Sequence, residues 1–304
     1  MLLNMLPQES IILAVVCNNH FVVLLAALLK SIEVTHRSNE FINLYVINDG
    51  LSDSNIANLN KCISSNKIQL IWIKMIDAFP IGIELPLDNT SFPVSTYIRL
   101  CAPYFVAKGT KRVIYLDVDM VLMEDISNLW KVDLHNYAVG AVTDRAETIG
   151  NPWGGIKNYK ELNLEPDAGY FNAGLLVIDV GKWLKMGITN KVIECINNNK
   201  NHVTFADQYG LNVVLANNQW CKLDPLWNCP SMSSESSPFL IHFTGIKPIY
   251  KNYDSNENYK KIFFSYLEFT EWAGYKQQSR YARLFQKTIN IVSKKITYFY
   301  RKII

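Results

Sequence analysis

Apolar and polar positions fall along the chain in blocks that predict alternating strands and helices. Ile11–Cys17 is an unbroken apolar run of strand length, the pattern of a strand covered on both faces. Residues 43–48 and 68–75 read as a second and a third strand, and Arg112–Leu116 as a fourth. Between them, residues 21–34 read as a largely apolar helix. Residues 52–64 read as an amphipathic one, opened by Ser52 or Asp53 as a cap. A further helix suits residues 95–105, after Pro93. This order predicts an α/β domain whose parallel strands carry helices on both faces. The second half is more mixed. Residues 137–142, 171–178 and 239–243 are strand-like, whereas 181–199 and 204–216 are helix-like. Residues 145–168 collect Gly, Pro and Asn and read as a long functional loop or lid.

With 304 residues, 49% of them hydrophobic, the chain can bury one large core and add a short appendage. No apolar run approaches the roughly 18 residues of a membrane span. The apolar start, residues 1–6, has no basic flank or small-residue cleavage site, so no signal peptide is expected. Six cysteines without a C-x-x-C pair favour reduced thiols and a cytoplasmic setting. The net charge of +3 conceals an asymmetry. Residues 272–304 hold eight Lys or Arg and no acid, leaving 22 basic against 27 acidic side chains, a net of −5, on residues 1–271. A mildly acidic body argues against nucleic acid as a partner. In the basic tail, Tyr281, Leu284, Phe285, Ile289, Val292, Ile296, Phe299 and Ile303 fall at helical spacing. That pattern fits an interfacial helix on the anionic inner face of the cytoplasmic membrane. It also fits a solvated helix packed on the body, and the boundary is placed at 271/272.

Two apolar strands deliver the candidate chemistry. Arg112–Leu116 runs into Asp117-Val118-Asp119; in extended backbone, residues i and i+2 share a face, so both carboxylates could reach one cation. Oxygen ligands suit Mn²⁺ or Mg²⁺. An isolated D-x-D equally fits two exposed turn aspartates. Residues 239–243 deliver His242, followed by Gly245, Lys247 and Pro248. A neutral imidazole ligates Mn²⁺, Gly245 admits close backbone approach, and Lys247 brings a compact charge suited to a diphosphate. A core histidine and an ordinary turn read as well. Asn172 and Gly174 interrupt a strand signal, where a ligand often comes near. Asp207 and Gln208 open a helix, and Asp144 ends a strand, each equally readable as a cap or a solvated polar group.

Taken in order, S-T-Y-I-R-L (95–100), Y-L-D-V-D (115–119), Y-F-N-A-G (170–174), A-D-Q-Y-G-L-N (206–212) and H-F-T-G-I-K-P (242–248) resemble the family 8 retaining glycosyltransferases. That group holds bacterial lipopolysaccharide hexosyltransferases and glycogenin, and the likeness spans about residues 10–250. The resemblance implies a GT-A fold, nucleotide-sugar-binding and Rossmann-like, and Mn²⁺ (or Mg²⁺) held by Asp117, Asp119 and His242. Lys247 and the backbone at Gly245 would take the diphosphate, with Arg99 near sugar and phosphates and Val118 against the donor. Asp144, Asn172, Gly174, Asp207 and Gln208 would surround the transferred hexose, Gln208 beneath the anomeric carbon. The turn from Asn18 to His20 would face uracil. The implied reaction moves glucose or galactose from UDP to a glycan or glycolipid of the cell surface with retained configuration. Two positions depart from the family's habit: Asn18 stands where an acid is usual, and Ile249 where Trp is common. Two other readings stay open on residues alone. In one, Asp117 is the nucleophile of a haloacid-dehalogenase-like phosphatase; in the other, the chain is a non-catalytic membrane-peripheral binding protein.

Overall fold

The computed structural model describes residues 10–303, with side chains to residue 296. The apolar start at 1–6 and the side chains of Phe299, Arg301, Lys302 and Ile303 lie outside the described residues. Strands are β1 (Ile11–Cys17), β2 (Ile42–Asn48), β3 (Ile68–Lys74), β4 (Arg112–Leu116), β5 (Met120–Leu122), β6 (Val139–Thr148), β7 (Gly169–Asp179), β8 (Cys221–Lys222), β9 (Cys229–Pro230) and β10 (Leu240–His242). Helices are α1 (Val22–Thr35), α2 (Asp53–Asn60), α3 (Ala102–Phe105), α4 (Ile126–Trp130), α5 (Val180–Met186), α6 (Ile188–Asn198), α7 (Ala206–Val214), α8 (Glu257–Leu267) and α9 (Arg280–Ile303).

The main sheet runs β3-β2-β1-β4-β7-β6-β8. Its first four strands are parallel, and β7 turns against β4 to make the sheet mixed. The period-2 alternation divides each strand between two cores. Ile11, Leu13, Val15 and Cys17 of β1 pack with α1 and α8 on one face, while Ile12 and Ala14 pack on the other with α6, α7 and the turns of residues 94–101. β4 divides likewise, with Ile114 and Leu116 on the first face and Val113 and Tyr115 on the second. Helix α1 is apolar nearly all round and is buried accordingly. Its Ser31 hydroxyl accepts from the Leu122 amide at 2.9 Å, which ties β5 beneath it.

Of the second, three-stranded sheet β5-β10-β9, only β10 was expected, within residues 239–243; β5 and β9, three and two residues long, leave no pattern in the sequence. Its antiparallel pairing sets His242 opposite Met120, the residue after Asp119. Elsewhere the structure refines the expected elements. Residues 94–101 form a 3₁₀ helix rather than an α-helix, followed by the single turn α3. Pro103 has no N–H to continue an α ladder onto Arg99, whose carbonyl takes the Ala102 amide instead. The helix expected over 181–199 breaks at Gly187, whose φ of +63° ends α5 and starts α6. Residues 145–148 of the expected loop continue β6 past a register shift. The rest is fastened at its base, Ile149 N to Ala168 O and Gly150 N to Pro166 O, both 2.8 Å. Trp272 and Tyr275 pack on the first core, and Tyr250 bridges to Gln278, so the chain stays on the body past residue 271. No helix among the described residues is long and apolar enough to cross a membrane.

Candidate active site

The carboxyl ends of β1 and β4 open into a cleft of about 660 Å³. The extended-strand geometry expected for the two aspartates is replaced by a turn. β4 ends at Leu116, and Asp117, Val118 and Asp119 make the tight connection into β5. Backbone pairing fixes this turn from both sides, through Asp117 N to Gly174 O at 2.8 Å and Phe243 N to Asp119 O at 2.8 Å. The first bond brings β7 alongside Asp117; the second brings the end of β10 alongside Asp119.

His242 Nε2 therefore lies 3.4 Å from Asp119 Oδ1 and 3.8 Å from Asp117 Oδ2. One ligand atom from each of the three lies within 4.8 Å of the others. Asn228 completes the arrangement. Its Oδ1 is 2.9 Å from His242 Nδ1, which makes Nδ1 the protonated nitrogen and turns the Nε2 lone pair to the carboxylates. Two hard oxygens and an imidazole nitrogen, converging at this spacing with the histidine oriented from behind, fit a divalent cation. Lys247 bonds the other oxygen of Asp119 and the Phe243 carbonyl, leaving Asp119 Oδ1 facing the histidine. Burial pushes the Asp119 carboxyl up, but the Lys247 ammonium bonded to it outweighs that and holds the group well below the usual carboxylate range. Asp117 moves the other way, raised by burial and by its neighbour's charge despite Arg99.

Arg99, delivered by the last turn of the 3₁₀ helix, is buried beneath this centre. Its guanidinium contacts Asp117 Oδ1 at 2.8 Å, Asp207 Oδ2 at 2.9 Å and the Ala173 carbonyl. Asp207 is 1% exposed, and burial pushes its carboxyl up to about 7 in spite of that pairing. Beside it, Gln208 Oε1 accepts from the Ala173 amide at 3.0 Å, while Nε2 donates to Asp144 Oδ2 and to the Tyr170 hydroxyl, both at 3.2 Å. Asn172 donates to the same Asp144 oxygen at 2.9 Å and accepts from Asn228 at 3.0 Å. The Asn212 side chain bonds both the amide and the carbonyl of Phe171 and so pins α7 to β7. An aromatic rim closes this end, with Phe92 and Trp153 about Phe205 and the Arg145 guanidinium 4.7 Å over the Trp153 ring.

Asn18, Arg99, Val118, Asp144, Asn172, Gly174, Asp207, Gln208, Gly245 and Lys247 all line the cleft with the Asp-Asp-His cluster. His20 is not on the wall; its Nε2 is 2.6 Å from the hydroxyl of Tyr250, which is. The Asn18 side-chain oxygen Oδ1 caps its own turn, accepting from the His20 and Phe21 amides.

A family model, Glycosyl transferase family 8, matches residues 12–263. The chain belongs to this family. Among curated relatives, General stress protein A of Bacillus subtilis is 28% identical over 252 residues, 76% of this chain and 84% of that protein. The lipopolysaccharide 1,2-glucosyltransferase of Escherichia coli K12 is 29% identical over 182 residues, 59% of this chain and 51% of that protein. Two solved structures share the fold. WbbM, a bifunctional glycosyltransferase, superposes with a TM-score of 0.73 at 20% identity, over 89% of this chain and 52% of that one. The galactosyltransferase LgtC, in complex with donor and acceptor sugar analogues, gives 0.68 at 22% identity, over 87% and 99%. The α/β body with its mixed sheet is thus a GT-A-type fold, and the chain is a family 8 glycosyltransferase.

Three residues of this family 8 site escaped sequence reasoning. Asn228 stands in no motif, and Tyr170 and Tyr250 look like core aromatics. Asn228 became visible only when the second sheet placed it behind both His242 and Asn172.

Proposed function

We propose that the chain transfers glucose or galactose from its UDP conjugate to a glycan or glycolipid acceptor such as lipopolysaccharide, with Mn²⁺ and retained anomeric configuration. The convergence of Asp117, Asp119 and His242 beside Lys247 carries this reading. The named relatives that act on lipopolysaccharide, or that bind donor and acceptor sugar analogues, support it.

When bound, the divalent ion supplies a Lewis acid for the diphosphate oxygens. Lys247 holds Asp119 in place and adds positive charge where negative charge grows as the glycosidic bond breaks. Asp144, Asn172 and Gln208 are already joined by hydrogen bonds, so they offer the hexose a preorganised polar floor. Two observations favour attack from the face the diphosphate leaves. Gln208 is an amide, a poor nucleophile with both its polar ends engaged, and Asp207 is buried against Arg99. On that path a diphosphate oxygen accepts the acceptor's proton.

The test is calorimetric titration of UDP with and without Mn²⁺, followed by nucleotide release from UDP-glucose, UDP-galactose and their N-acetyl relatives. Micromolar UDP affinity that weakens about tenfold or more on chelation is the expected result. An absence of UDP binding in Mn²⁺ overturns the reading.

The membrane-facing part of the proposal concerns α9. Tyr281, Phe285, Val292 and Ile296 stand exposed on it among cations. An apolar face turned to solvent and flanked by Lys and Arg suits an anionic bilayer surface. Co-sedimentation with phosphatidylglycerol vesicles, and much less with phosphatidylcholine ones, is expected. Equal recovery in the supernatant with both removes the membrane role.

A further inference from the structure

Helix α9 is amphipathic, but it sits on the body with its faces reversed. A helix packed on a globular domain turns its apolar stripe inward. Here Arg283, Gln286, Lys287, Asn290 and Lys294, spaced by three and four residues, form one stripe, and that stripe faces the protein. Lys294 is 4% exposed, bonded to Asp88 at 2.7 Å and to both Thr90 oxygens at 3.2 Å. Asn290 donates to the Ser91 carbonyl at 3.1 Å. These bonds fasten the helix to the segment whose next residues, Ser91, Phe92 and Pro93, line the cleft. Towards the other end of the stripe, Arg283, Gln286, Lys287 and Asn290 line the same cleft. The polar side of α9 is therefore a wall of the active site.

Within that wall, Arg283 stands out. Its Nε is buried and has no hydrogen-bond partner. Among the described residues no carboxylate lies within ion-pair distance of it. A buried guanidinium nitrogen without a partner is costly unless a ligand supplies one. Its charge bears on the hydroxyl of Tyr250, which is bonded to His20 beside the Asn18 turn. The Tyr250 amide bonds the Lys247 carbonyl at 3.1 Å, so Arg283 and Lys247 flank one turn, 247–250. Lys247 is committed to Asp119. Arg283 is left as a planar donor fork matched to phosphoryl oxygens.

We infer that Arg283 is a donor-binding residue that pairs with the phosphoryl oxygens of the nucleoside diphosphate in the cleft it lines together with the Asp-Asp-His cluster. Helix α9 then has two faces of different use: its inner stripe completes the nucleotide site, and its outer face shows the exposed Tyr281, Phe285, Val292 and Ile296 to solvent. The inference rests on the UDP-sugar reading above and assigns a residue that the family motifs do not contain.

The experiment compares UDP with uridine on full-length wild type and Arg283→Gln, in Mn²⁺. Calorimetry follows UDP, ligand-observed NMR follows uridine, and thermal melts check the fold. Losing one charge-assisted phosphate contact weakens UDP about tenfold or more, while uridine affinity stays within about twofold and the melting temperature holds. Arg283→Lys recovers part of the UDP loss, since it keeps the charge without the fork. UDP affinity unchanged in Arg283→Gln overturns the inference, as does equal weakening of UDP and uridine, which marks a merely structural wall. A wild-type chain that binds no UDP removes the UDP-sugar reading and this inference together. Wild-type binding with an indifferent variant removes only this one.

Discussion

Asp119→Ala abolishes Mn²⁺-dependent UDP binding and lowers transfer by on the order of 10³-fold or more. The size follows from its double engagement. One carboxylate oxygen is 3.4 Å from His242 Nε2, and the other holds Lys247. Removing the side chain takes an oxygen from the candidate cluster and also frees the ammonium that the proposed function sets against the diphosphate. The fold tolerates the change, because the turn is held by backbone bonds from Gly174 and Phe243 rather than by this side chain. The measurement is a manganese titration followed by paramagnetic resonance, alongside steady-state transfer. Asp119→Asn serves as the shape-preserving control, losing the charge and keeping the volume. Near-normal transfer by Asp119→Asn in chelator-treated buffer would end the metal assignment.

Gly174→Ala is the second large effect, and it comes from a single methyl group. A Cβ at this position would stand 2.5 Å from His242 Cε1 and 2.9 Å from both Asp117 Oδ2 and Asn172 Oδ1. Carbon atoms do not approach that closely, so at least one of the three must move by several tenths of an ångström. Two of them belong to the candidate metal cluster, and the third joins Asp144 and Asn228 in one hydrogen-bond network. Displacements near 1 Å at a reacting centre cost about 10²-fold in rate, and a loss of that order is expected in kcat, together with weaker Mn²⁺ binding. The glycine is required here by space and not by backbone conformation, since Gly174 is absent from the positive-φ residues. The variant should therefore fold and melt close to wild type. Unaltered Mn²⁺ affinity and kcat in Gly174→Ala would show that the three groups do not need to stay this close.

How far the sequence could be read follows from the range of the interactions concerned. The strands β1 to β4 were legible to within about a residue; β1, β2 and β4 are buried on both faces and so largely apolar, whereas the edge strand β3 is half-exposed and was marked by its Ile, Leu and Trp positions. Asp117, Asp119, His242 and Lys247 were singled out through the two strand-ending motifs and the family resemblance, and the structure brings these side chains together. The contact of Arg99 with both Asp117 and Asp207 was not legible, since it joins three separate elements and leaves no periodic trace. Position 18 illustrates a different limit. Its likeness to a base-contacting residue said nothing of the cap it makes for its own turn. Helix α9 shows a third. Periodicity gives the angle between the polar and apolar stripes, yet it cannot say which of them turns inward, and here the polar one does.

The pairing of β5 with β10 also governs when the centre can exist during synthesis. Lys247 and Asp119 are 128 residues apart, and His242 lies just before Lys247. A nascent chain that has displayed both aspartates must still emerge through β10 before the imidazole can join them. Loop closure of that length is slow and earns nothing until the short strands zip. If the cluster takes an ion as proposed, that capture is a late event in folding, made by a nearly complete body rather than by the two-carboxylate turn alone.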